Sequence, residues 1–214
     1  GGNSNAMSMR SAAAHAVWRD EASIEQAVRS FMFTHRNKEA LGGALFFAKV
    51  AHRIIQKGLN PREAIDAVAS ESPGWLQRMV QTAISKYEEA IDTQRPLSKE
   101  EFVDDLAITS MARLWDVGKT EPIKVGKASP TEGTLPGSIY IILKYMDDFP
   151  AAVIANAMVG GDNASRGTNI GLVLGAYHGV QAIPEKFRLT LRQWEHSEEM
   201  LMKLPLLKSE PTEL

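Results

Sequence analysis

The stretch Gly160-Gly161-Asp162-Asn163-Ala164-Ser165-Arg166-Gly167 is a polar, glycine-flanked break between two apolar segments of the sequence. The flanking segments, residues 150–159 and 168–179, contain no Asp, Glu, Lys or Arg and have the composition of buried helices. A break that the core holds on both sides keeps its own side chains in place. We therefore expect this stretch to organise the fold and to contain the functional chemistry.

Asp162 and Arg166 are charged groups beside a predicted helix N-terminus inside this apolar frame. Burying a carboxylate or a guanidinium costs desolvation energy, so each needs a partner: the other group, a metal ion or a ligand. Arg166 in the first turn also opposes the helix dipole by roughly 0.3–1 kcal/mol, which an anion would offset. Two interpretations stay open: an Asp162 N-cap with Arg166 ion-paired to it, serving structure alone, or a ligand site.

Length and composition limit the class of protein. The chain has 214 residues, 24 of them basic and 26 acidic, and nothing in it resembles an interdomain linker, so we expect a single domain over residues 1–214. Charges of one sign are not grouped in blocks, which points away from a nucleic-acid partner. No apolar run reaches the roughly 20 residues of a membrane span. The absence of cysteine fits a reducing compartment, so we expect a cytoplasmic protein with no membrane partner.

Helix signals recur along the chain, and no alternating strand pattern of useful length is present, so the predicted fold class is all-α. Capping motifs occur at Ser23, Asn60, Ser72 and Ser98. The predicted helical segments are 23–33, 38–57, 61–70, 73–92, 98–116, 138–145, 150–159, 168–179 and, after another helix start at Ile183-Pro184-Glu185, 189–204.

Two connections in this pattern carry further predictions. Residues 117–136 are punctuated by glycine and proline and predict a long irregular loop, which in a compact domain is usually functional or disordered. Gly171, Gly175 and Gly179 recur every four residues on one helix face. That spacing predicts the close approach of another helix.

Motifs for metal binding or nucleophilic catalysis are scarce. The acid pairs Asp104-Asp105 and Asp147-Asp148 have contexts typical of helix caps or solvated faces. The histidines lack the spacing of a metal site, and no nucleophile elbow or phosphate loop is present. His35 lies at a joint between two helices, where backbone N–H groups and the helix dipole favour anions. For His35 an anion site and a structural cap both stay open.

Three stretches, in order, resemble one known family. The first is Asn5-Ala6-Met7-Ser8-Met9-Arg10, similar to a family segment N-G-x-A-M-R with Ala6 in place of glycine. The second is Thr34-His35, followed by the small-residue run Gly42-Gly43-Ala44, and the third runs from Leu135-Pro136 to Gly179 through Gly160-Gly161-Asp162. Together, and over essentially the whole chain, they resemble the ADP-ribosylglycohydrolase family, which includes the dinitrogenase-reductase-activating glycohydrolases and the J-type crystallins.

The resemblance implies a compact, orthogonal multi-helix bundle and, in active members, Mg²⁺-assisted hydrolysis of the bond between ADP-ribose and a modified side chain. Carried over by position, it implies that Asp162 is a metal ligand with a catalytic role. Ser165 is implied as a second metal ligand, in place of a threonine. Asn5, its neighbour Ser4 and His35 are implied contacts of ADP-ribose or a related nucleotide sugar.

Two residues depart from the pattern that the family has at the third stretch. Active members read Asp-x-Asp-Thr there, whereas the second acid position of this chain is Ala164. Magnesium needs carboxylate charge to offset its dehydration, so the metal site is weakened. Arg166 stands where the family usually has an apolar residue. Its guanidinium is expected either to replace the missing cation beside Asp162 or to bind a ligand phosphate.

The family's Gly-Asp and Thr-Asp-Asp metal motifs lie upstream of the region that this sequence resembles. We therefore expect the chain to expose apolar surface and to be completed by another chain, by a second copy in a homo-oligomer, or by residues outside this sequence. Ser4 and Asn5 are either native or part of a tag scar, since Ser-Asn-Ala before Met is typical of one.

Two functions stay open at this point. One is hydrolysis of an ADP-ribosyl or related N- or O-glycosidic bond. The other is that of a non-catalytic relative, which binds a nucleotide sugar or serves as a crystallin-like structural protein.

Overall fold

The computed structural model describes residues 11–91, 130–159 and 162–208. In these three ranges the regular structure is helical, with no β-strand, so the predicted all-α class is confirmed. The helices are α1 (Ser11–His15), α2 (Glu21–Phe31), α3 (Lys38–Lys57), α4 (Pro61–Ser70), α5 (Gly74–Ile91), α6 (Thr131–Lys144), α7 (Phe149–Val159), α8 (Asn163–His178), a 3₁₀ turn (Val180–Ala182), α9 (Glu185–Leu189), α10 (Trp194–Leu201) and α11 (Pro205–Lys208). None of these helices is long and apolar enough to cross a bilayer.

Local capping chemistry sets the ends of the N-terminal helices. α3 begins after Asn37, whose side chain accepts from the Glu39 N–H at 2.8 Å, and ends at Gly58 with a left-handed φ of 66°, as predicted. α4 begins with the predicted capping box, in which Asn60 and Glu63 each bond the other's backbone N–H. The helix predicted over residues 23–33 is present as α2, but its predicted start was wrong. Its N-cap is Asp20 rather than Ser23, because the Asp20 carboxylate accepts from the Ser23 N–H at 2.8 Å.

Helix α3 lies at the centre of the fold and contacts α1, α2, α4, α6 and α8. One of its sides joins a cluster of small and medium apolar side chains with α1 and α2, which includes Ile24 and Met32. Its other side joins the larger cluster, where Phe46 and Phe47 pack with residues of α4 to α8. The chain therefore builds two adjoining cores on opposite sides of a single helix.

Helix α6 begins earlier than predicted. The sequence indicated a loop to residue 136 and a helix from 138, whereas the helix begins at Thr131 and contains Pro136. A proline inside a helix costs about 3 kcal/mol. Full burial of Leu135, Ile139 and Ile142 offsets this cost, at roughly 1.5–3 kcal/mol for each side chain. The predicted helix over 98–116 and the remaining loop residues 117–129 lie outside the described residues.

Helix α8 begins at Asn163, directly after its N-cap Asp162, so it includes residues 163–167 as well as the predicted helical segment from Thr168. The predicted close approach at the glycine-lined face was wrong. Among the residues that the structure describes, a Cβ added at Gly171 or Gly175 would meet nothing within 4 Å. The close approach is instead at Gly167, where an added Cβ would lie 3.2 Å from Nδ2 of Asn156 on α7.

The C-terminal residues form short helices in place of the predicted helix over 189–204. Leu189 and Leu191 are 69% and 58% exposed, and Met202 is 52% exposed, so this segment does not complete a core among the described residues. Its end returns to the start of the fold, since the Leu206 N–H donates to the Ala16 carbonyl at 3.0 Å. Together with Ile154 on α7, which is 53% exposed, these side chains give the chain the apolar surface that the sequence predicted.

Candidate functional site

Asp162 is held as the N-cap of α8 by Ser165. The Ser165 backbone N–H donates to Oδ1 of Asp162 at 3.2 Å, and the Ser165 hydroxyl donates to Oδ2 at 2.7 Å. The Asp162 carboxylate therefore satisfies one orphan N–H donor of the helix end, and the two bonds from Ser165 hold that carboxylate in place. The capping interpretation of Asp162 is confirmed.

Arg166 is fully buried directly beneath this turn, with no exposed surface. Its Nε donates to Oδ1 of Asn156 at 3.0 Å, which joins the first turn of α8 to the middle of α7. Burial lowers the pKa of the Arg166 guanidinium, and the nearby Asp162 charge partly opposes that change. A ligand would reach this guanidinium only after the turn rearranged, so the expected contact between Arg166 and a phosphate stays a prediction.

Asn156 connects the two helices across the turn. Its Oδ1 accepts from Arg166, and its Nδ2 donates to the Asn163 carbonyl at 2.8 Å. The absence of a side chain at Gly167 leaves room for this amide, as the 3.2 Å approach shows. Asn156 is thus a member of the site that the sequence analysis missed. The signal was present, because Asn156 is the one polar residue in the apolar segment 150–159.

A second buried amide on α8 makes polar contact with α6. Asn169, one turn beyond Arg166, donates from Nδ2 to the Ser138 hydroxyl at 3.2 Å. Ser138 in turn donates to the Thr134 carbonyl at 2.7 Å. These buried groups satisfy one another, so the turn is anchored by polar contacts as well as by apolar packing.

His35 lies in the connection between α2 and α3. Its backbone N–H donates to the Met32 carbonyl at 3.1 Å, and its Nδ1 is 2.9 Å from the Thr34 hydroxyl. The cap of α3 is Asn37, so His35 is not the capping residue. Helix α3 packs along α8, the helix that Asp162 caps. The role of His35 as a ligand contact stays a prediction.

The remaining predicted residues fall into two groups. Ser4 and Asn5 lie outside the described residues, as do Asp104 and Asp105. Asp148 accepts from the Ala151 N–H at 2.9 Å at the start of α7, so the capping interpretation of that acid pair is confirmed for Asp148.

The described residues do not fit a magnesium site at the Asp162 turn. Mg²⁺ requires near-octahedral oxygen ligands. Here the carboxylate of Asp162 accepts from Ser165 at both oxygens, Ala164 provides no ligand, and a guanidinium follows at Arg166. Across residues 11–91, 130–159 and 162–208, no group of three or more His, Asp or Glu side chains is arranged to hold a metal ion.

Comparison with known proteins points to one family. The sequence model of a family described as ADP-ribosylglycohydrolase matches residues 1–213. A curated relative, ADP-ribosylhydrolase ARH3 of Xenopus tropicalis, is 23% identical over 193 residues, which cover 85% of this chain and 53% of that protein. The chain thus spans about half the length of this relative. No solved structure matches the chain significantly.

Proposed function

From the finding that this chain belongs to the ADP-ribosylglycohydrolase family, we propose that it binds ADP-ribose or a related nucleotide sugar at the Asp162 turn without needing magnesium. At a coarse level, family membership makes its function ADP-ribosylglycohydrolase-like. The observation that carries the finer proposal is the burial of the Arg166 guanidinium beneath the turn.

The positive charge of Arg166 is fixed inside the protein at the N-terminus of α8. The partial positive charge of the helix end adds to it, and both favour an anion near the turn. A buried charge is screened by salt much less than an exposed one. A pyrophosphate near the turn would therefore be attracted by Arg166 without touching it.

The local charge of the turn is more positive than in active members, because Ala164 stands in place of an acid and Arg166 in place of an apolar residue. Relative to the two-acid pattern of active members, the turn lacks one negative charge and has one positive charge. In those members the metal ions supply the positive charge that balances the carboxylates. In this chain Arg166 supplies a permanent positive charge, while Ser165 holds the remaining acid as a cap. This arrangement supports binding without hydrolysis.

Calorimetry tests the proposal directly. ADP-ribose would be titrated into the full chain in excess EDTA and again with Mg²⁺, and we expect saturable binding of similar affinity in both. Binding that appears only with Mg²⁺, or release of ADP-ribose from an ADP-ribosylated peptide when Mg²⁺ is added, would support the hydrolase instead. Absence of binding in both conditions would support the crystallin-like role.

A further inference from the structure

A cavity of about 450 Å³ lies between α2, α3, the end of α4 and the start of α5. Its volume is within the range of roughly 300–1,000 Å³ that small-molecule sites occupy. The cavity is at the seam between the two cores: Phe46 and Leu76 belong to the larger cluster, whereas Leu41 and Leu45 pack against the smaller one. None of Asp162, Ser165 and Arg166 lines it, so it is separate from the turn at α8.

One wall of the cavity is the indole ring of Trp75, which lies directly on α3 at Gly42. A Cβ added at Gly42 would be 2.8 Å from both Cζ2 and Cη2 of the ring, closer than atoms can approach. The indole Nε1, on the same edge of the ring as Cζ2, is buried and has no hydrogen-bond acceptor within the described structure. Packing against Gly42 therefore positions the ring, and no hydrogen bond through Nε1 assists it.

The acidic side chains that line the cavity are paired with arginine or lysine, whereas one of the lining lysines is not paired with any described acid. Glu25 is paired with both Arg29, at 2.6 Å, and Lys49, at 2.9 Å. The second acid of the lining, Glu71, is paired with Arg53, at 2.8 Å. Both lining acids are thus already paired with a cation, and Arg53 also bonds Glu21, at 2.9 Å.

Lys38 is the exception among the lining cations. Its Nζ lies 5.9 Å from the centroid of the Trp75 ring, and it forms no ion pair with any carboxylate in the ranges that the structure describes. An exposed ammonium group that has no ion-pair partner in those ranges therefore lies beside the aromatic wall.

We propose that this cavity binds a small amphipathic anion, a carboxylate carried on an aromatic or aliphatic body. The apolar body packs against Leu41, Leu45 and the Trp75 ring, which are half-buried, so that apolar surface is removed from water. The carboxylate accepts a charge-assisted hydrogen bond from Lys38. A cationic ligand is disfavoured, because the acids that would bind it are occupied by arginine and lysine.

Three matched probes test the charge preference: 3-phenylpropanoate, 3-phenylpropan-1-ol and 3-phenylpropan-1-amine, titrated into the full chain by calorimetry. We expect the carboxylate to bind at least tenfold more tightly than the alcohol and the amine. Equal affinity of all three, preference for the amine, or no saturable binding at millimolar concentrations would overturn the proposal.

Lys38→Met tests the cation while keeping an unbranched apolar side chain. Its matched control is Lys144→Met, because Lys144 also lies over an aromatic ring, 5.5 Å from the centroid of Tyr140, but outside the cavity. We expect Lys38→Met to weaken carboxylate binding at least tenfold and Lys144→Met to leave it unchanged. Unchanged binding in Lys38→Met, or equal weakening in both variants, would overturn the assignment of Lys38.

Gly42→Ala tests the aromatic wall, because the added methyl group must displace the Trp75 ring. Its control is Gly171→Ala, where a new Cβ meets no atom of residues 11–91, 130–159 or 162–208 within 4 Å. We expect Gly42→Ala to abolish carboxylate binding while thermal melting shows that the chain stays folded. Retained affinity in a folded Gly42→Ala protein would overturn the proposed location. If that variant unfolds, the Lys38→Met comparison alone decides.

Discussion

Nε of Arg166 lies 3.0 Å from Oδ1 of Asn156, and this contact joins α7 to the first turn of α8 inside the protein. A buried guanidinium is stable only where hydrogen bonds and nearby negative charge offset its desolvation. The amide of Asn156 provides one such bond, and the carboxylate of Asp162 provides nearby charge. Arg166 thus stabilises the turn and sets its electrostatic potential, and these two roles are separable by mutation.

Arg166→Met should weaken ADP-ribose binding more than it weakens the fold. The variant leaves the Asn156 oxygen without its donor, which costs about 1–3 kcal/mol, but it also removes the desolvation cost of the charge. We expect a net stability change of about 1 kcal/mol or less by urea denaturation and at least a tenfold loss of affinity, about 1.4 kcal/mol, by calorimetry. Equal losses of stability and affinity would indicate a purely structural Arg166. Arg62→Met, at an exposed ion pair with Asp66, serves as the control.

The cap of α8 should tolerate Asp162→Asn but not Asp162→Ala. An asparagine oxygen still accepts from the Ser165 N–H, whereas alanine leaves that donor unsatisfied. We expect Asp162→Asn to cost some stability, because it removes the negative charge near the buried Arg166, and Asp162→Ala to cost about 1 kcal/mol more through the lost cap, measured by urea denaturation. Equal destabilisation by the two variants would show that charge, and not capping, is what Asp162 contributes to stability.

Two glycines of α8 should respond to alanine in opposite directions. No described residue lies within 4 Å of a Cβ added at Gly171, so Gly171→Ala should stabilise the helix by about 0.5–1 kcal/mol. At Gly167 the new Cβ would lie 3.2 Å from Nδ2 of Asn156, so Gly167→Ala should displace that amide and destabilise the protein. Thermal melting of the two variants checks this. Stabilisation by Gly167→Ala would show that Asn156 shifts without cost.

Stability should fall between pH 6.5 and pH 4 because of two desolvated histidines, the half-buried His15 and the buried His52. Burial, with a smaller contribution from the nearby His52 charge, lowers the pKa of His15 to about 4, and burial also lowers the pKa of His52. The unfolded chain therefore binds protons that the folded chain does not, so stability is present above pH 6.5 and decreases as the pH falls.

His15→Leu should remove part of this loss. From the His15 pKa of about 4, we expect the variant to lose about 2–3 kcal/mol less than the unmodified chain between pH 7 and pH 4.5. Urea denaturation at the two pH values measures the difference. Parallel pH profiles for the two proteins would contradict the burial of His15.

The sequence predicted best where the signal was local. Helix α3 lies between Asn37 and Gly58, as the pattern predicted, and α4 begins at the predicted cap Asn60. These features depend on hydrogen bonds between neighbouring backbone groups and side chains. The sequence-based prediction was wrong about the start of the helix that contains Pro136 and about a close helix contact at Gly171. At Pro136, burial against other helices outweighed an unfavourable local preference. At Gly171, no spacing rule could show that the predicted neighbouring helix is absent from the described fold.

At the candidate site the sequence by itself determined which residue types are present: Asp162, Ala164 in place of a second acid, and Ser165 followed by Arg166. It also indicated the family. Only the tertiary structure decided what these groups contact. The folding of α7 against α8 brings Asn156 to Arg166, buries that guanidinium and leaves Asp162 as a cap bonded by Ser165. The physical reason is that composition and spacing along a chain fix local hydrogen bonds, whereas desolvation and partner choice depend on which helices pack together.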